Sequence, residues 1–163
     1  ARSVTVFNRS KEGLEKARTI GENMAADSVK CRMDYHLLSE TALMHDCIRK
    51  GDVLINGTSV GMRPMHEGES LVTDITAFHE NLVVYDVIYN PPVTKLMSDA
   101  LANGCKEENV IGGKGMLLWQ GAGAFKLYTG LDMPAQELKA FLAKREEEGA
   151  EPLKDVAENI GEM

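Results

Sequence analysis

Short apolar runs alternate with longer amphipathic stretches along the 163 residues of the chain. The runs are rich in β-branched residues and predict strands, whereas the stretches repeat apolar residues at helical spacing. Runs that are continuously apolar are typical of strands covered on both faces, as in parallel sheets. The pattern predicts strands at 3–7, 27–33, 52–56, 82–89 and 110–111, and helices at about 10–24, 39–50, 94–103, 116–128 and 134–148.

Polar and glycine residues mark the ends of these elements. Ser10 is placed to cap the first helix, Gly51 suits the left-handed conformation after the second, and Gly104 ends the third. Strands and helices that alternate at intervals of about 20 to 30 residues favour βα units. The sequence therefore predicts an α/β fold, a doubly wound parallel sheet with helices on both faces. Residues 1–133 would form this sheet with its helices, and residues 134–163 the C-terminal helices.

Composition and charge narrow the possible partners. With 18 basic and 25 acidic residues, the net charge of −7 disfavours nucleic acid and anionic membranes, whose phosphates attract basic surfaces. No apolar run approaches the roughly 20 residues of a membrane span. The 3 cysteines are widely spaced and odd in number, which excludes a fully paired disulfide framework and favours a reducing cytoplasm. The 4 histidines lack metal-ligand spacing, so no metal site is predicted.

The segments that directly follow the predicted strands carry the candidate chemistry. Ligands of a doubly wound sheet lie beyond the carboxyl ends of its strands. Here these segments combine glycine with hydroxyl, amide and cationic side chains, which suits a ligand that bears phosphate and ribose. Ordinary turn residues that merely end strands are the alternative interpretation. The segments are 8–11, 57–62, 89–91 and 112–115.

Two cations and a hydroxyl, on Arg9, Lys11 and Ser10, follow the first strand. In dinucleotide-binding folds an acidic residue in this region binds the ribose 2′-hydroxyl, whereas an arginine accommodates a 2′-phosphate. A solvated basic turn is the alternative. The glycine-rich loop G-x-G-x-x-G occurs nowhere in these residues, and the glycine cluster at 112–115 lacks the ending of a P-loop.

Gln120 interrupts the apolar stretch of the predicted helix 116–128. A polar amide among apolar residues costs free energy unless it is hydrogen-bonded. A ligand hydroxyl or a backbone group would each satisfy it. Gln120 is therefore a candidate ligand-binding residue.

Four motifs stand in fixed order between Val4 and about Pro134. They are Asn8-Arg9-Ser10, residues 56–64, residues 85–96, and residues 115–122 followed by Phe125 and Thr129-Gly130. Together they resemble the C-terminal NAD(P)-binding domain of the shikimate/quinate dehydrogenase family, most closely its quinate/shikimate branch. The resemblance implies a Rossmann-like domain and reversible hydride transfer between NAD(P) and a ring hydroxyl of shikimate or quinate.

The resemblance also implies a role for individual residues. Cofactor-binding positions would be Asn8, Arg9, Ser10, Lys11, Thr58, Ser59, Val87, Ile88, Tyr89, Asn90, Gly113 and Met116. The first four would hold the adenosine ribose and its phosphate, and Thr58 and Ser59 would line the cleft. Residues 87–90 would border the nicotinamide ribose, with the Gly113 carbonyl on the carboxamide and Met116 near the ring. Tyr89 and Gln120 would bind substrate hydroxyls, and the cation at Lys11 favours NADP, with NAD possible.

The family's glycine-rich loop, with its strand and helix, stands directly before the strand at Val4, and this sequence does not contain it. Its substrate domain, which carries a proton-relaying Lys and Asp, comes earlier still. We therefore expect a C-terminal fragment that has no catalytic residue of its own, is inactive alone, and associates with the N-terminal part or as a homo-oligomer. The sheet should have a gap between the strands at Val4 and Val53. The halves would close up, or another polypeptide would supply the strand.

Two other functions fit parts of the pattern. The first alternative is a non-catalytic module, derived from the same family, that binds nucleotide or polyol for regulation or interaction. Another NADP-dependent oxidoreductase, such as a glutamyl-tRNA reductase relative, is the second alternative, and Gln120 in its Trp-Gln-Gly-Ala setting argues against it.

Overall fold

A computed structural model describes residues 1–26 and 30–147. Within these ranges the chain divides into two compact units, which meet in sequence between Gly113 and Lys114. The first unit contains β1 (Ser3–Asn8), α1 (Lys11–Ala26), β2 (Arg32–Leu37), α2 (Thr41–Lys50), β3 (Val53–Asn56), β4 (Val83–Asp86), α3 (Lys95–Ala102) and β5 (Val110–Ile111). The second contains α4 (Lys114–Thr129) and α5 (Ala135–Glu147).

The strands are parallel and alternate with helices, which confirms the predicted α/β class. β1 pairs with β2, from Ser3 opposite Arg32 to Asn8 opposite Leu37. β4 lies between β3 and β5 in a separate three-stranded sheet. The predicted gap falls between β1 and β3, and over the described ranges no strand pairs with the free edge of either.

Two boundary predictions were wrong. The strand expected at 27–33 is β2, which runs from Arg32 to Leu37 because it matches β1 residue for residue; residues 27–29 lie outside the described ranges. The strand expected at 82–89 ends at Asp86. Val87 N still donates to Asn56 O of β3, but Ile88 N donates to the Asp86 side chain instead of to a neighbouring strand. The stretch at 152–163 also lies outside the described ranges.

Two glycines that follow helices, Gly104 and Gly51, have different backbone conformations. Gly104 has φ of +96°, the left-handed backbone for which glycine is favoured. Gly51 has φ of −84° and ψ of 154°, so the left-handed cap predicted there was wrong. Its N–H still donates to Ile48 O at 3.2 Å, and extended backbone leads directly into β3.

The core of the first unit lies between α2, α3, β4 and the segment that precedes β4. Leu82, Val84 and Ala100 have no exposed surface. Phe7 of β1 packs against the same cluster, so the β1–β2 sheet shares this core with the three-stranded sheet. The cluster comprises Met44, Ile48, Val72, Ala77, Phe78, Leu82, Val84, Leu96, Ala100 and Cys105.

The cysteines within the described ranges are unpaired. Burial raises the pKa of the Cys105 thiol, which donates to His79 O at 3.4 Å. A buried thiol of raised pKa packs as a small hydrophobe and is a poor nucleophile. Among the described helices, none combines the length and apolarity that crossing a membrane requires.

Each free edge presents backbone N–H groups without a strand partner. Leu38 N donates to Asn8 O at 2.9 Å at the end of the β1–β2 ladder. Since alternate residues of a parallel strand bond the same neighbour, the amides of Thr5 and Phe7 face the free edge of β1.

The same alternation applies to β3. Val87 N donates to Asn56 O at 3.1 Å, so the amides of Val53 and Ile55 face away from β4. Val53 and Ile55 are 57% and 62% exposed, so the face of β3 that carries them is uncovered and its edge away from β4 is unpaired among the described residues. We refer to the amides of Thr5, Phe7, Val53 and Ile55 as the edge amides.

In the 163-residue chain, the edge amides are expected to exchange with deuterium at least about tenfold faster than those of Val6 and Leu54, which bond a neighbouring strand. Residue-resolved exchange by NMR measures this directly. Equal protection of the edge amides and these internal controls would contradict the open gap, since it would require a strand on each free edge.

Candidate cofactor site

The four segments that carry the candidate ligand-binding residues follow β1, β3, β4 and β5. The last three strands are parallel neighbours, so their carboxyl ends share one edge of a sheet. This edge is where ligands of doubly wound sheets bind. The segment after β1 belongs to the other sheet.

The turn after β1 is built by two of its own side chains. Asn8 Oδ1 accepts from Ser10 N at 3.1 Å, and Ser10 Oγ accepts from Gly13 N at 3.1 Å. This confirms that Ser10 caps α1. A Cβ on Gly13 would overlap the Asn8 side-chain amide, so this glycine is needed for the close approach.

The two cations of this turn are exposed at the start of α1. Arg9 and Lys11 form no ion pair with any described residue, whereas Lys16 one turn later pairs with Glu12 at 2.7 Å. Helix N-termini favour anions through their unpaired N–H groups. The turn therefore offers positive charge and backbone donors to an anion.

The loop after β3 is held by Asn56, which is buried. Asn56 Oδ1 accepts from Thr58 N at 3.1 Å and from Thr58 Oγ1 at 2.7 Å. Thr58 Oγ1 in turn accepts from Val60 N at 3.1 Å. Thr58 thus shapes the loop with its own side chain, and Ser59 is the exposed hydroxyl beside it.

The segment after β4 lies against the residue that ends the first unit. Gly113 N donates to Ile88 O at 2.9 Å. A Cβ on Gly113 would overlap the Val87 carbonyl, so only glycine fits this approach. The structure therefore brings Val87, Ile88 and Gly113 together, three residues that the sequence assigned to one cofactor.

The far end of this segment is tied to the loop after β3. Asn90 O accepts from Arg63 N at 3.1 Å. The guanidinium of Arg63 bonds Glu67, and this hydrogen bond lowers the pKa of the Glu67 carboxyl. Tyr89 stands between the tied positions with its side chain 49% exposed.

Met116 and Gln120 lie on α4, in the second unit. No described residue of α4 is buried, and Gln120 is exposed. Apolar neighbours in sequence do not by themselves bury a position, and Gln120 stays a candidate ligand-binding residue. The exposed amide is free to bind a solvent-borne ligand.

Sequence reasoning missed the residue that links these loops. Asp86 is the last residue of β4 and is fully buried. The available signal was a single carboxylate within the apolar run 82–89. Buried carboxylates need donors, so its presence in such a run indicates a built polar cluster.

The described residues outside the strand ends form one open cavity and no metal-binding group. Over the described ranges, no three His, Cys, Asp or Glu side chains are grouped to hold a metal ion. An open cavity of about 230 Å³ lies between α1 and β2, lined by Arg18, Gly21, Glu22, Cys31, Met33 and Tyr35. The Arg18 guanidinium stacks 4.8 Å above the Tyr35 ring there, so the main cation of the cavity is already engaged.

Parallel strands, alternating helices and glycine-rich strand ends define a Rossmann-like α/β domain. Residues 113–140 match the family model described as the shikimate 5′-dehydrogenase C-terminal domain. Quinate/shikimate dehydrogenases from two strains of Escherichia coli are 39% identical to the chain over 141 residues, which is 86% of this chain and 47% of each relative. The chain is therefore similar to the shikimate/quinate dehydrogenases, and it spans about half the length of these relatives.

Solved structures show the same similarity. The shikimate 5-dehydrogenase of Listeria monocytogenes, determined in complex with shikimate and NAD, has a TM-score of 0.75 at 30% identity. The similarity covers 86% of this chain and 47% of that one. The quinate dehydrogenase of Corynebacterium glutamicum, determined with NAD, has a TM-score of 0.68 at 25% identity over 87% of this chain and 46% of its own.

Proposed function

We propose that the chain is the cofactor-binding part of a dehydrogenase that transfers hydride reversibly between NADP and a ring hydroxyl of shikimate or quinate. The observation that carries the proposal is the 39% identity to quinate/shikimate dehydrogenases over most of the chain. The fold also supports the proposal, because the segments that follow β3, β4 and β5 lie at one edge of the three-stranded sheet. NAD is the second cofactor under this proposal, because two similar structures contain it.

The adenosine end of the cofactor would lie at the start of α1. Arg9 and Lys11 would pair with the 2′-phosphate of NADP, since both are exposed and without a carboxylate partner among the described residues. Asn8 and Ser10 would act mainly by shaping the turn that presents these cations and the ribose contacts.

The nicotinamide end would lie at the carboxyl ends of β3 and β4. Thr58 and Ser59 would line the cleft, and residues 87–90 would border the ribose. Gly113 donates its N–H to Ile88, which leaves its carbonyl available for the carboxamide. Met116 would pack near the ring, and the exposed side chains of Tyr89 and Gln120 would bind substrate hydroxyls.

Hydride loss from a carbinol carbon requires that the hydroxyl proton also be removed by a positioned base. The family resemblance assigns that relay to a Lys and an Asp of a separate substrate domain. The proposal therefore gives this chain binding and positioning roles, and predicts no turnover by the chain alone.

Small molecules are the proposed partners, together with the substrate domain or a second copy of the chain. The net charge of −7 opposes phosphate-rich surfaces such as nucleic acid and anionic membranes. The unpaired cysteines support a reducing compartment such as the cytoplasm.

Hydride transfer by the full-length protein tests the proposal. Shikimate and quinate are each supplied with NADP⁺ and with NAD⁺, and the absorbance of the reduced nicotinamide is followed. We expect turnover of at least one polyol, more efficiently with NADP⁺. Cofactor binding without turnover of either polyol would contradict the proposal and favour a non-catalytic binding module.

A further inference from the structure

The carboxyl group of Asp86 is surrounded by neutral donors. It has no exposed surface, and no basic side chain of the described residues pairs with it. Asp86 Oδ1 accepts from Asn56 Nδ2 and from Ile88 N, both at 3.1 Å. Asp86 Oδ2 accepts from Thr94 Oγ1 at 2.7 Å.

A buried carboxylate is costly unless donors surround it. Asn56 Nδ2, Ile88 N and Thr94 Oγ1 each donate to this carboxyl group, so both of its oxygens are hydrogen-bonded. The three hydrogen bonds together hold the donors of Asp86 in one arrangement.

The three donors come from three different segments. Asn56 ends β3 and holds the following loop through Thr58. Ile88 lies in the segment after β4. Thr94 is the N-cap of α3, where its Oγ1 accepts from Met97 N at 3.3 Å. One carboxylate thus joins both strand-end loops to the start of a helix.

The backbone N–H and the backbone carbonyl of Ile88 are both hydrogen-bonded. Its N–H donates to Asp86, and its carbonyl accepts from Gly113 N at 2.9 Å. Tyr89 follows directly and makes no side-chain hydrogen bond to the described residues. The backbone from which the exposed Tyr89 side chain extends is therefore anchored through Asp86.

We propose that Asp86 is a positioning residue for hydride transfer, acting through the Asn56 and Ile88 loops and through Thr94. This inference rests on the proposed function, in which those loops border the nicotinamide and the substrate. Displacement of reacting groups by about 1 Å costs on the order of 100-fold in rate. Loosening the carboxylate cluster should therefore impair turnover without removing any group that touches the ligands.

Two substitutions in the full-length protein test this role. Asp86→Asn replaces one acceptor oxygen with an NH2 donor at nearly constant size, and Thr94→Val removes one donor at nearly constant shape. Each is expected to lower kcat/KM by about tenfold or more, with a fall in kcat as well as a rise in KM. Thr94→Ser keeps the hydroxyl and should retain activity near the wild-type value.

Asp74→Asn is the matched control. Asp74 accepts from Thr76 N at 3.1 Å and Thr76 Oγ1 at 2.6 Å, and the latter hydrogen bond lowers its pKa. It caps a short 3-10 helix, Ile75–Ala77, instead of joining strand-end loops. Asp74→Asn should therefore leave kcat unchanged, even if it lowers the midpoint of unfolding.

A second readout separates this inference from the proposed function. In Asp86→Asn, the Ile88 amide should exchange at least about tenfold faster than in the wild type, while the Ala77 amide is unchanged. Absence of turnover in the wild type would refute the proposed function, and the exchange data would still test the anchoring.

If Asp86→Asn fails to fold, Thr94→Val supplies both readouts. Wild-type kinetics and wild-type Ile88 exchange in the folded variants would overturn the inference.

Discussion

Replacement of Gly113 by alanine is expected to lower the free energy of unfolding by about 3 kcal/mol or more. The added Cβ would overlap the Val87 carbonyl and lie 2.9 Å from the carbonyl carbon of Ile88. Because these are backbone atoms, no side-chain rotation relieves the overlap. The strand-end segment must move, and the 2.9 Å bond from Gly113 N to Ile88 O is lost with it. Chemical denaturation of the full-length protein measures the change.

Gly115→Ala is the control for this experiment. No atom lies within 4 Å of a Cβ built on Gly115. Alanine also favours a helix over glycine by about 0.5–1 kcal/mol, so this variant should match or slightly exceed the wild type. Similar unfolding free energies for the two alanine variants would show that the close approach of Gly113 is not required.

Lys11→Asp is expected to reduce the preference for NADP⁺ over NAD⁺ by about 30-fold or more. A hydrogen bond to a charged group contributes about 2 kcal/mol, which corresponds to about 30-fold in a ratio of affinities. The new carboxylate also repels the 2′-phosphate and can accept from a 2′-hydroxyl. The ratio of kcat/KM for the two cofactors, measured in the full-length protein, reports the effect.

Lys16→Asp makes the same change of charge one turn further along α1. Lys16 already pairs with Glu12 at 2.7 Å and is 74% exposed. Its replacement should leave the cofactor ratio within about twofold of the wild type, because exposed charges interact weakly at this distance. Equal shifts in the two variants would mean that Lys11 acts through net charge and does not contact the phosphate.

Local rules predicted much of the fold. Continuous apolar runs indicated parallel strands, and polar residues after them located the strand-end loops. The Ser10 cap followed from the preference of helix N-termini for hydroxyl oxygens. These features depend on a few neighbouring residues, so the sequence alone suffices for them.

The remaining features depend on contacts between distant residues. The extent of β2 follows from its register with β1, and the end of the β4 strand follows from the donors around Asp86. Gly13 and Gly113 are required by the approach of Asn8 and Val87, which no local pattern reveals. The exposure of Gln120 likewise depends on tertiary packing, which periodicity does not contain.

The central claim is that NADP binds at the carboxyl ends of these parallel strands. Titration of the isotopically labelled full-length protein with NADP⁺, followed by amide NMR, tests it most directly. We expect concerted shifts of the amides of Lys11, Ser59, Ile88 and Gly113, and none at Tyr35 in the cavity between α1 and β2. Shifts confined to that cavity, or binding that leaves the strand-end amides unchanged, would contradict it.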